Sequence, residues 1–291
     1  MREKIDDFAA DFSSGALAEA AERLSLAYRS GTPPRIDTPL ARAAYLATRM
    51  PATYGALWAA ARELPFEPTT WLDLGAGPGT AAWVAPCPAT LVETNPTWID
   101  LTPATRIHAD LTRLPPLDPH DVVSISYALN ELGPKERDRA VLDAWSLARR
   151  ALLLVEPGTV EGFAHIRAAR TQLLALGAHI QAPCPHPGIC PMAGGDWCHF
   201  AVRVERSKLH RRLKGGDLSY EDEKFSYLLA LKEETTPPWA RILRHPNTRS
   251  GLIELRICTP EGARPDKVRK NDPRWKAARK ANWGSPWEPA Q

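Results

Sequence analysis

Apolar residues recur at helical spacing early in the chain, with Leu17, Leu24, Ala27 and Tyr28 followed by Leu40, Ala44 and Ala47. That spacing predicts an Ala-rich helical region over residues 1–68. Gly31-Thr32-Pro33-Pro34 should separate the first helix pair from the next, and Pro51 should end or kink the segment from Tyr45 to Leu64. From Trp71 the rhythm changes to short apolar runs alternating with helical stretches, the pattern of βαβ units around a parallel sheet. Strands are expected at Thr70 to Leu74, Ala89 to Glu93, Thr105 to Ala109, Asp121 to Tyr127 and Ala151 to Val155, with a crossover helix at Lys135 to Arg150 and another helix at Gly162 to Leu176. A Pro- and Cys-rich stretch, Ala182 to Cys198, interrupts the alternation. Strands at Phe225 to Leu231 and Leu252 to Cys258 would then finish a seven-stranded sheet with an antiparallel edge. No internal repeat is evident.

Composition narrows the class. A chain of 291 residues, 44% of them hydrophobic, can fill one large α/β domain with additions. No run of eighteen apolar residues occurs, so no membrane role is expected. Glu3, Asp6 and Asp7 stand where a secretory or transit peptide would be acid-poor, which predicts a bacterial cytoplasmic protein over a mitochondrial matrix one. The formal charge of +3 is unevenly divided: Arg264 to Lys280 holds eight basic residues against Asp266 and Asp272, a net +6, leaving −3 elsewhere. A second basic run, Arg203, Arg206, Lys208, Arg211, Arg212 and Lys214, has only Glu205 within it. Such runs suit phosphate backbones, although solvated helix faces carry them too. The expected organisation is a helical region at 1–68, an α/β domain at 69–261 with an insertion and basic segment at 182–215, and a basic tail at 262–291.

Trp71-Leu72-Asp73-Leu74-Gly75-Ala76-Gly77-Pro78-Gly79-Thr80 follows the first strand and opens a helix. Glycines there permit a tight turn and a close approach of backbone N–H groups to a ligand, and a helix N-terminus adds partial positive charge. A dinucleotide loop of the G-x-G-x-x-G type would need glycine at Thr80. The order found, an acid followed by G-x-G-x-G, resembles motif I of class I methyltransferases, whose loop wraps the methionine part of S-adenosylmethionine. Glu93, twenty residues after Asp73, ends the second strand where a carboxylate can accept from both ribose hydroxyls. Asp110 follows the third strand at the place for an adenine contact, or caps a helix. After strand four, Tyr127-Ala128-Leu129-Asn130-Glu131-Leu132 lacks the Asn/Asp-Pro-Pro-aromatic sequence of amino-directed methyltransferases and a nucleophilic Cys. Asn130 and Glu131 can touch cofactor or substrate, or cap a helix, and no catalytic residue is assigned.

Five cysteines, an odd number without a signal peptide, do not read as a disulfide framework. Cys184, Cys190 and Cys198 sit in a Gly/Pro-shaped loop and Cys258 ends the last strand, while Cys87 stands apart. Four thiolates satisfy zinc or an iron–sulfur cluster. Gaps of five and seven residues lean toward the larger cluster, and His186 and His199 leave a Cys/His zinc site open.

Taken with Leu72 to Gly79 and the cysteine loop, three further segments resemble a known family: Arg49-Met50-Pro51-Ala52-Thr53-Tyr54, Ser207-Lys208-Leu209-His210-Arg211-Arg212-Leu213-Lys214 and Tyr220-Glu221-Asp222-Glu223-Lys224-Phe225-Ser226-Tyr227. So does Ala278-Arg279-Lys280-Ala281-Asn282-Trp283-Gly284. The family is the methyltransferase-like small-ribosomal-subunit assembly factors of mitochondria and bacteria. The resemblance implies a class I methyltransferase Rossmann-like α/β fold with an N-terminal helical cap, a Cys-rich metal-binding insertion and a basic tail. It also implies an S-adenosylmethionine pocket on Asp73, Gly75, Gly77, Gly79, Glu93, Asp110 and Asn130, and a [4Fe-4S] cluster on Cys184, Cys190, Cys198 and Cys258. The implied partner is the small ribosomal subunit with its rRNA, bound by a protein monomeric off the ribosome, with methyl transfer possible or lost. An active rRNA methyltransferase and a zinc-stabilised methyltransferase acting on protein or a small molecule are the competing readings. The two basic segments favour RNA over a small substrate, with Trp275 and Trp283 offered for stacking on bases.

Overall fold

The computed structural model describes residues 1–30, 36–98, 101, 103–192 and 195–289, and the expected break at Gly31 to Pro34 lies outside them. Four helices come first: α1 (Arg2–Ala9), α2 (Ser14–Ser30), α3 (Pro39–Thr48) and α4 (Met50–Ala61). Thr38 caps α3 by accepting from the Ala41 N–H. The chain breaks at Arg49 before Pro51, which lies in the first turn of α4 where its missing N–H costs nothing. The proline therefore starts a helix instead of ending one.

The next elements are β1 (Trp71–Leu74), α5 (Ala81–Val84), β2 (Ala89–Glu93), β3 (Thr105–His108), β4 (His120–Ser126), α6 (Pro134–Leu147), β5 (Ala148–Pro157) and α7 (Val160–Ala175). They continue with β6 (His179–Ala182), β7 (Phe200–Glu205), α8 (Lys208–Lys214) and β8 (Tyr220–Leu231). The strands make one eight-stranded sheet in the order β3-β2-β1-β4-β5-β8-β6, with β7 also on β8. The first five run parallel, and β8 enters antiparallel beside β5. The strand order reverses on either side of β1, so a crevice opens at the carboxyl end of β1. One face of the sheet packs Leu74, Val123, Leu152 and Leu154 against Val141, Trp145 and Ile166 of α6 and α7. The other packs Trp71, Leu91, Leu153 and Tyr227 against Ala56, Leu57 and Ala60 of α4. Burial on both faces explains the continuous apolar strands, each buried Leu stabilising by about 1.5–3 kcal/mol.

Two expectations are corrected here. Leu252 to Cys258 does not complete this sheet: it lies in a second sheet made of β9 (Ala240–Ile242), β10 (Asn247–Arg249), β11 (Leu252–Thr259), β12 (Gly262–Arg269) and, after helix α9 (Trp275–Ala278), β13 (Pro286–Trp287). The large sheet is finished instead by β6 and β7, which pair with different halves of the outer edge of β8. Nor is 262–291 an appended tail. All eight residues of β12 pair with β11, because Ile253, Leu255, Ile257 and Val268 share a core with Ile242 and Trp287. No helix among the described residues is long and apolar enough to cross a membrane.

Candidate functional site

The crevice at β1 is a cleft of about 400 Å³ lined by Asp73, Gly75, Gly77, Glu93, Asp110 and Asn130, six of the seven residues named from the sequence for the cofactor. Gly79 is not among its walls. A Cβ on Gly79 would meet Leu91 at 2.8 Å, and one on Gly75 would meet Ala128 at 2.7 Å, so both glycines serve packing beneath the loop. All three have positive φ, but at Gly77 nothing stands nearer to the missing Cβ than the Trp98 indole nitrogen at 4.0 Å. Its bare backbone faces the cleft. Only a single helical turn, α5, follows the loop, so the helix-dipole contribution expected there is small.

Glu93 Oε2 accepts the Gly77 N–H at 2.7 Å and Oε1 accepts the Asn95 N–H at 2.8 Å. Oε1 also accepts the Thr94 hydroxyl at 3.3 Å, so the loop occupies both of its lone pairs, while Oε2 keeps one for a ligand hydroxyl. Asp73 lies buried beneath the loop and accepts from the Ser124 hydroxyl, which itself accepts from Trp71 Nε1 at 2.8 Å. Burial pushes the Asp73 carboxyl up to about 7, against the Ser124 hydrogen bond. Asp110 Oδ1 takes the Thr112 N–H and hydroxyl, both at 2.8 Å, so it caps a turn while lining the cleft.

The N-terminal helices roof this cleft with residues that sequence reasoning did not assign. Tyr28, Tyr45, Arg49 and Thr53 all line it. The Arg49 guanidinium sits 4.7 Å from the centre of the Tyr28 ring, and the Tyr45 ring lies 5.2 Å from that of Trp98. Opposite them, Tyr127, the residue after β4, has φ +58°, a left-handed conformation costly for a bulky residue. It is held there by its N–H on the Val155 carbonyl at 2.8 Å and its hydroxyl donating to Glu223 at 2.9 Å. In the sequence Tyr28 and Tyr45 read only as helix positions, and Arg49 and Thr53 belong to Arg49-Met50-Pro51-Ala52-Thr53-Tyr54, a segment that carries the family resemblance.

The cysteine loop spans from β6 to β7. Cys184, Cys190, Cys198 and Cys258 line one small pocket, with Phe163, Arg170 and Tyr227 among its walls. Two buried arginines fix the loop backbone. Arg170 donates to the His186 and Gly188 carbonyls at 2.7 and 2.8 Å, and Arg241, 1% exposed, donates to the Pro183 carbonyl and pairs with Glu63 at 2.8 Å. Burial raises the Cys198 thiol, and the other three cysteines raise it further. Cys258 is pushed up to about 12 by burial, then by Cys184 and Cys190. Cys258 Sγ also lies 3.6 Å from His186 Nε2. His199 is stacked on Trp197 at 4.9 Å and edge-on to Trp283 at 4.8 Å. Cys87 packs elsewhere, against the sheet core. Among the described residues, no three His, Cys, Asp or Glu side chains are gathered closely enough to hold a single ion.

Part of each basic segment is paired with acids, a pairing that linear charge counting misses. Arg203 pairs with Asp222 at 3.1 Å, and Arg206 and Lys214 share Glu221 at 2.9 Å. Arg274 bridges Asp266 and Asp272 at 2.7 and 2.9 Å. Trp283 is packed among His199, His245 and Arg244, and Trp275 rests on the core of the second sheet, each being half-buried.

The sheet order, antiparallel β8 and ligand-sized cleft at the β1 switch point define a class I methyltransferase-like α/β protein. Residues 103–288 match the family described as mitochondrial small ribosomal subunit Rsm22, and the chain belongs to that family. It is 26% identical over 83% of its length to Rsm22-cox11 tandem protein 2, mitochondrial, of Schizosaccharomyces pombe, covering 42% of that protein. It is 24% identical over 82% of its length to the human ribosome assembly protein METTL17, mitochondrial, covering 61% of it. The chain thus spans less than two thirds of either relative. Among solved structures it is similar to magnesium protoporphyrin IX methyltransferase from Synechocystis with bound SAM (16% identity, 64% of this chain and 79% of that one, TM-score 0.38). It is also similar to a TehB-like SAM-dependent methyltransferase from Corynebacterium glutamicum (10% identity, 76% of this chain and 100% of that one, TM-score 0.40).

The family and both relatives are mitochondrial by name, which overturns the expectation of a bacterial cytoplasmic protein. The acidic residues behind that expectation belong to α1, a helix that buries Ile5 and Ala9 against the rest of the chain. They are the solvent side of a folded element and carry no targeting information.

Proposed function

We propose that this chain is a small-ribosomal-subunit assembly factor that binds rRNA, holds S-adenosylmethionine in the β1 cleft and carries a [4Fe-4S] cluster on Cys184, Cys190, Cys198 and Cys258. The observation that carries the cofactor reading is the Glu93 carboxylate, braced by two backbone N–H groups and keeping one lone pair on Oε2 beside the bare Gly77 backbone. Glu93 would hold the ribose hydroxyls and residues 75–77 the methionine part. A bound S-adenosylmethionine supplies an activated methyl sulfonium; the chain's own contribution is position and exclusion of water under the Tyr28–Tyr45–Arg49 roof. No residue of the Tyr127 to Leu132 segment is assigned as a base, so binding, and not transfer, is the activity proposed.

The cluster reading is supported by four thiols on one pocket, where burial and then neighbouring cysteines raise Cys184, Cys198 and Cys258, a cost that bound iron would relieve. A tetrahedral zinc draws its sulfurs to about 3.8 Å from one another, from Zn–S distances of about 2.3 Å. A cubane instead takes one sulfur on each of its four irons and accepts a wider thiol set. The test is anaerobic purification with metal analysis, alongside calorimetric titration with S-adenosylmethionine. Four irons per chain and saturable binding are expected. Stoichiometric zinc without iron would replace the cluster, and transfer of methyl to rRNA by the purified protein would replace the binding role with an enzymatic one.

A further inference from the structure

The second sheet has two unlike faces. Directly paired residues of antiparallel strands share a face, so Arg249, Leu252 and Arg269 form one row, Asn247, Glu254 and Lys267 the next, and Arg256 with Pro265 the third. Ile253, Leu255 and Ile257, alternating with these along β11, point into the core. The outward rows therefore gather four cations around one acid. Glu254 is shared by Lys267 at 3.6 Å and Arg249 at 3.9 Å, while Arg256 and Arg269 are exposed and have no acidic partner among the described residues.

We propose that this face, centred on Arg249, Arg256, Lys267 and Arg269, is the surface on which the sugar–phosphate backbone of RNA lies. The inference rests on the rRNA-binding reading above and assigns that binding to a place. Charge selects the partner: the face is net positive by three, whereas Arg203 and Arg274 are paired with their own acids and Arg206 and Lys214 share Glu221. The outer edge of β12 carries Pro265, which blunts it against an added protein strand, so the face and not the edge is what a partner meets. Because the cations stand on three hydrogen-bonded strands, their spacing is fixed before binding and little side-chain positioning is left to the ligand. The fourth row explains the neighbouring cysteines. Cys258 pairs with Ala263 on this same side of the sheet, but there the loop covers it, with Cys190 packed in one cluster with Cys258 and Ala263. The cysteine loop thus closes one end of the basic face and holds β11 and β12 in register beneath it.

The experiment compares the full chain with Arg256→Ala/Arg269→Ala, measuring binding to in vitro transcribed small-subunit rRNA across a salt series. Loss of two phosphate contacts should flatten the slope of log Kobs against log salt by about 1.4–1.8 and weaken binding roughly tenfold or more. Arg256→Lys/Arg269→Lys, which keeps the charges, should restore the slope and controls for folding. Arg203→Ala, whose charge is already paired, should leave the slope unchanged. Binding of rRNA by the double alanine variant with unaltered slope and affinity would overturn the assignment while leaving RNA binding intact. Absence of rRNA binding by the unmodified chain would instead sink the reading on which it rests. If the variant keeps its rRNA affinity but loses binding to RNA-free small-subunit proteins, an acidic protein is the occupant and the RNA assignment falls.

Discussion

Asp73 offers a test of the cleft that needs no ligand. Its carboxyl lies beneath the glycine loop, 3% exposed, with the Ser124 hydroxyl as its donor, and burial lifts it from the ordinary 3.8 to about 7. Below pH 4 both folded and unfolded chains carry the proton, and the residue adds no pH dependence. Between about 4 and 7 the unfolded chain ionises while the folded one stays protonated, so this group's contribution to stability declines as pH rises. Above 7 both forms are ionised and the loss levels off. The full span corresponds to about 4 kcal/mol, of which about 2 kcal/mol falls between pH 5 and pH 7. Asp73→Asn keeps an oxygen to accept from Ser124 and removes the titration. Urea unfolding of both proteins at several pH values isolates the effect, because other ionisable groups cancel in the difference. The variant should gain about 2 kcal/mol relative to the unmodified chain from pH 5 to pH 7. A stability difference that is the same at both pH values would mean that Asp73 is ionised throughout, and the buried, protonated carboxyl would have to be abandoned.

Glu93→Ala should weaken S-adenosylmethionine binding by about tenfold to a hundredfold in calorimetry, since hydrogen bonds to a charged acceptor are worth about 1.5–3 kcal/mol; unchanged affinity would remove Glu93 from the site. Cys→Ser at position 184, 190, 198 or 258 should each strip iron and lower soluble yield, whereas Cys87→Ser should do neither. Arg241→Met leaves the Pro183 and Gly284 carbonyls and Glu63 without their donor; breaking such a buried pair should cost about 3–5 kcal/mol in chemical denaturation, and a loss below 1 kcal/mol would show that the guanidinium is dispensable.

The parallel half of the molecule was legible because strands buried on both faces are written as apolar runs. The observed β1, β2 and β3 begin or end within one residue of their expected limits, and β5 simply extends further at both ends. The glycine loop was legible for a local reason, its positive φ values and close approaches being demands that only glycine meets at low cost. What stayed hidden depended on partners far along the chain. The β12 sequence Gly-Ala-Arg-Pro-Asp-Lys-Val-Arg buries only Val268 and becomes a strand because β11 offers it an edge, so hydropathy cannot announce it. In β7, Phe200, Val202 and Val204 alternate with Ala201, Arg203 and Glu205, yet the same residues also begin a basic run, and the run drew the reading. The acids that pair with Arg203, Arg206 and Lys214 of that run, Glu221 and Asp222, arrive on β8, where β7–β8 pairing brings Asp222 opposite Arg203. Charge counted along a line misses charge balanced across a sheet.

The same long-range pairing decides how separately the two candidate sites can behave. The cleft is built from the carboxyl ends of β1, β2 and β4 and roofed by α2, α3 and α4, while the cysteine pocket is walled by α7, β8, β9 and the end of β11. β8 is the element that meets both. Its Glu223 holds the strained Tyr127 at the cleft, and four residues on, its Tyr227 lines the cysteine pocket. A second tie runs through the backbone: Trp197, next to Cys198, donates to the Gly158 carbonyl at 2.9 Å, one residue past Pro157 in the cleft wall. Strands with seven-residue ladders to β5 do not shift when one loop loosens, but the Trp197 tie is a single hydrogen bond at the loop itself. Disturbance of the cysteines should accordingly reach the cleft at Pro157 before it reaches Tyr127, and should leave the Glu93–Gly77 bond, on the far side of β1, where it is.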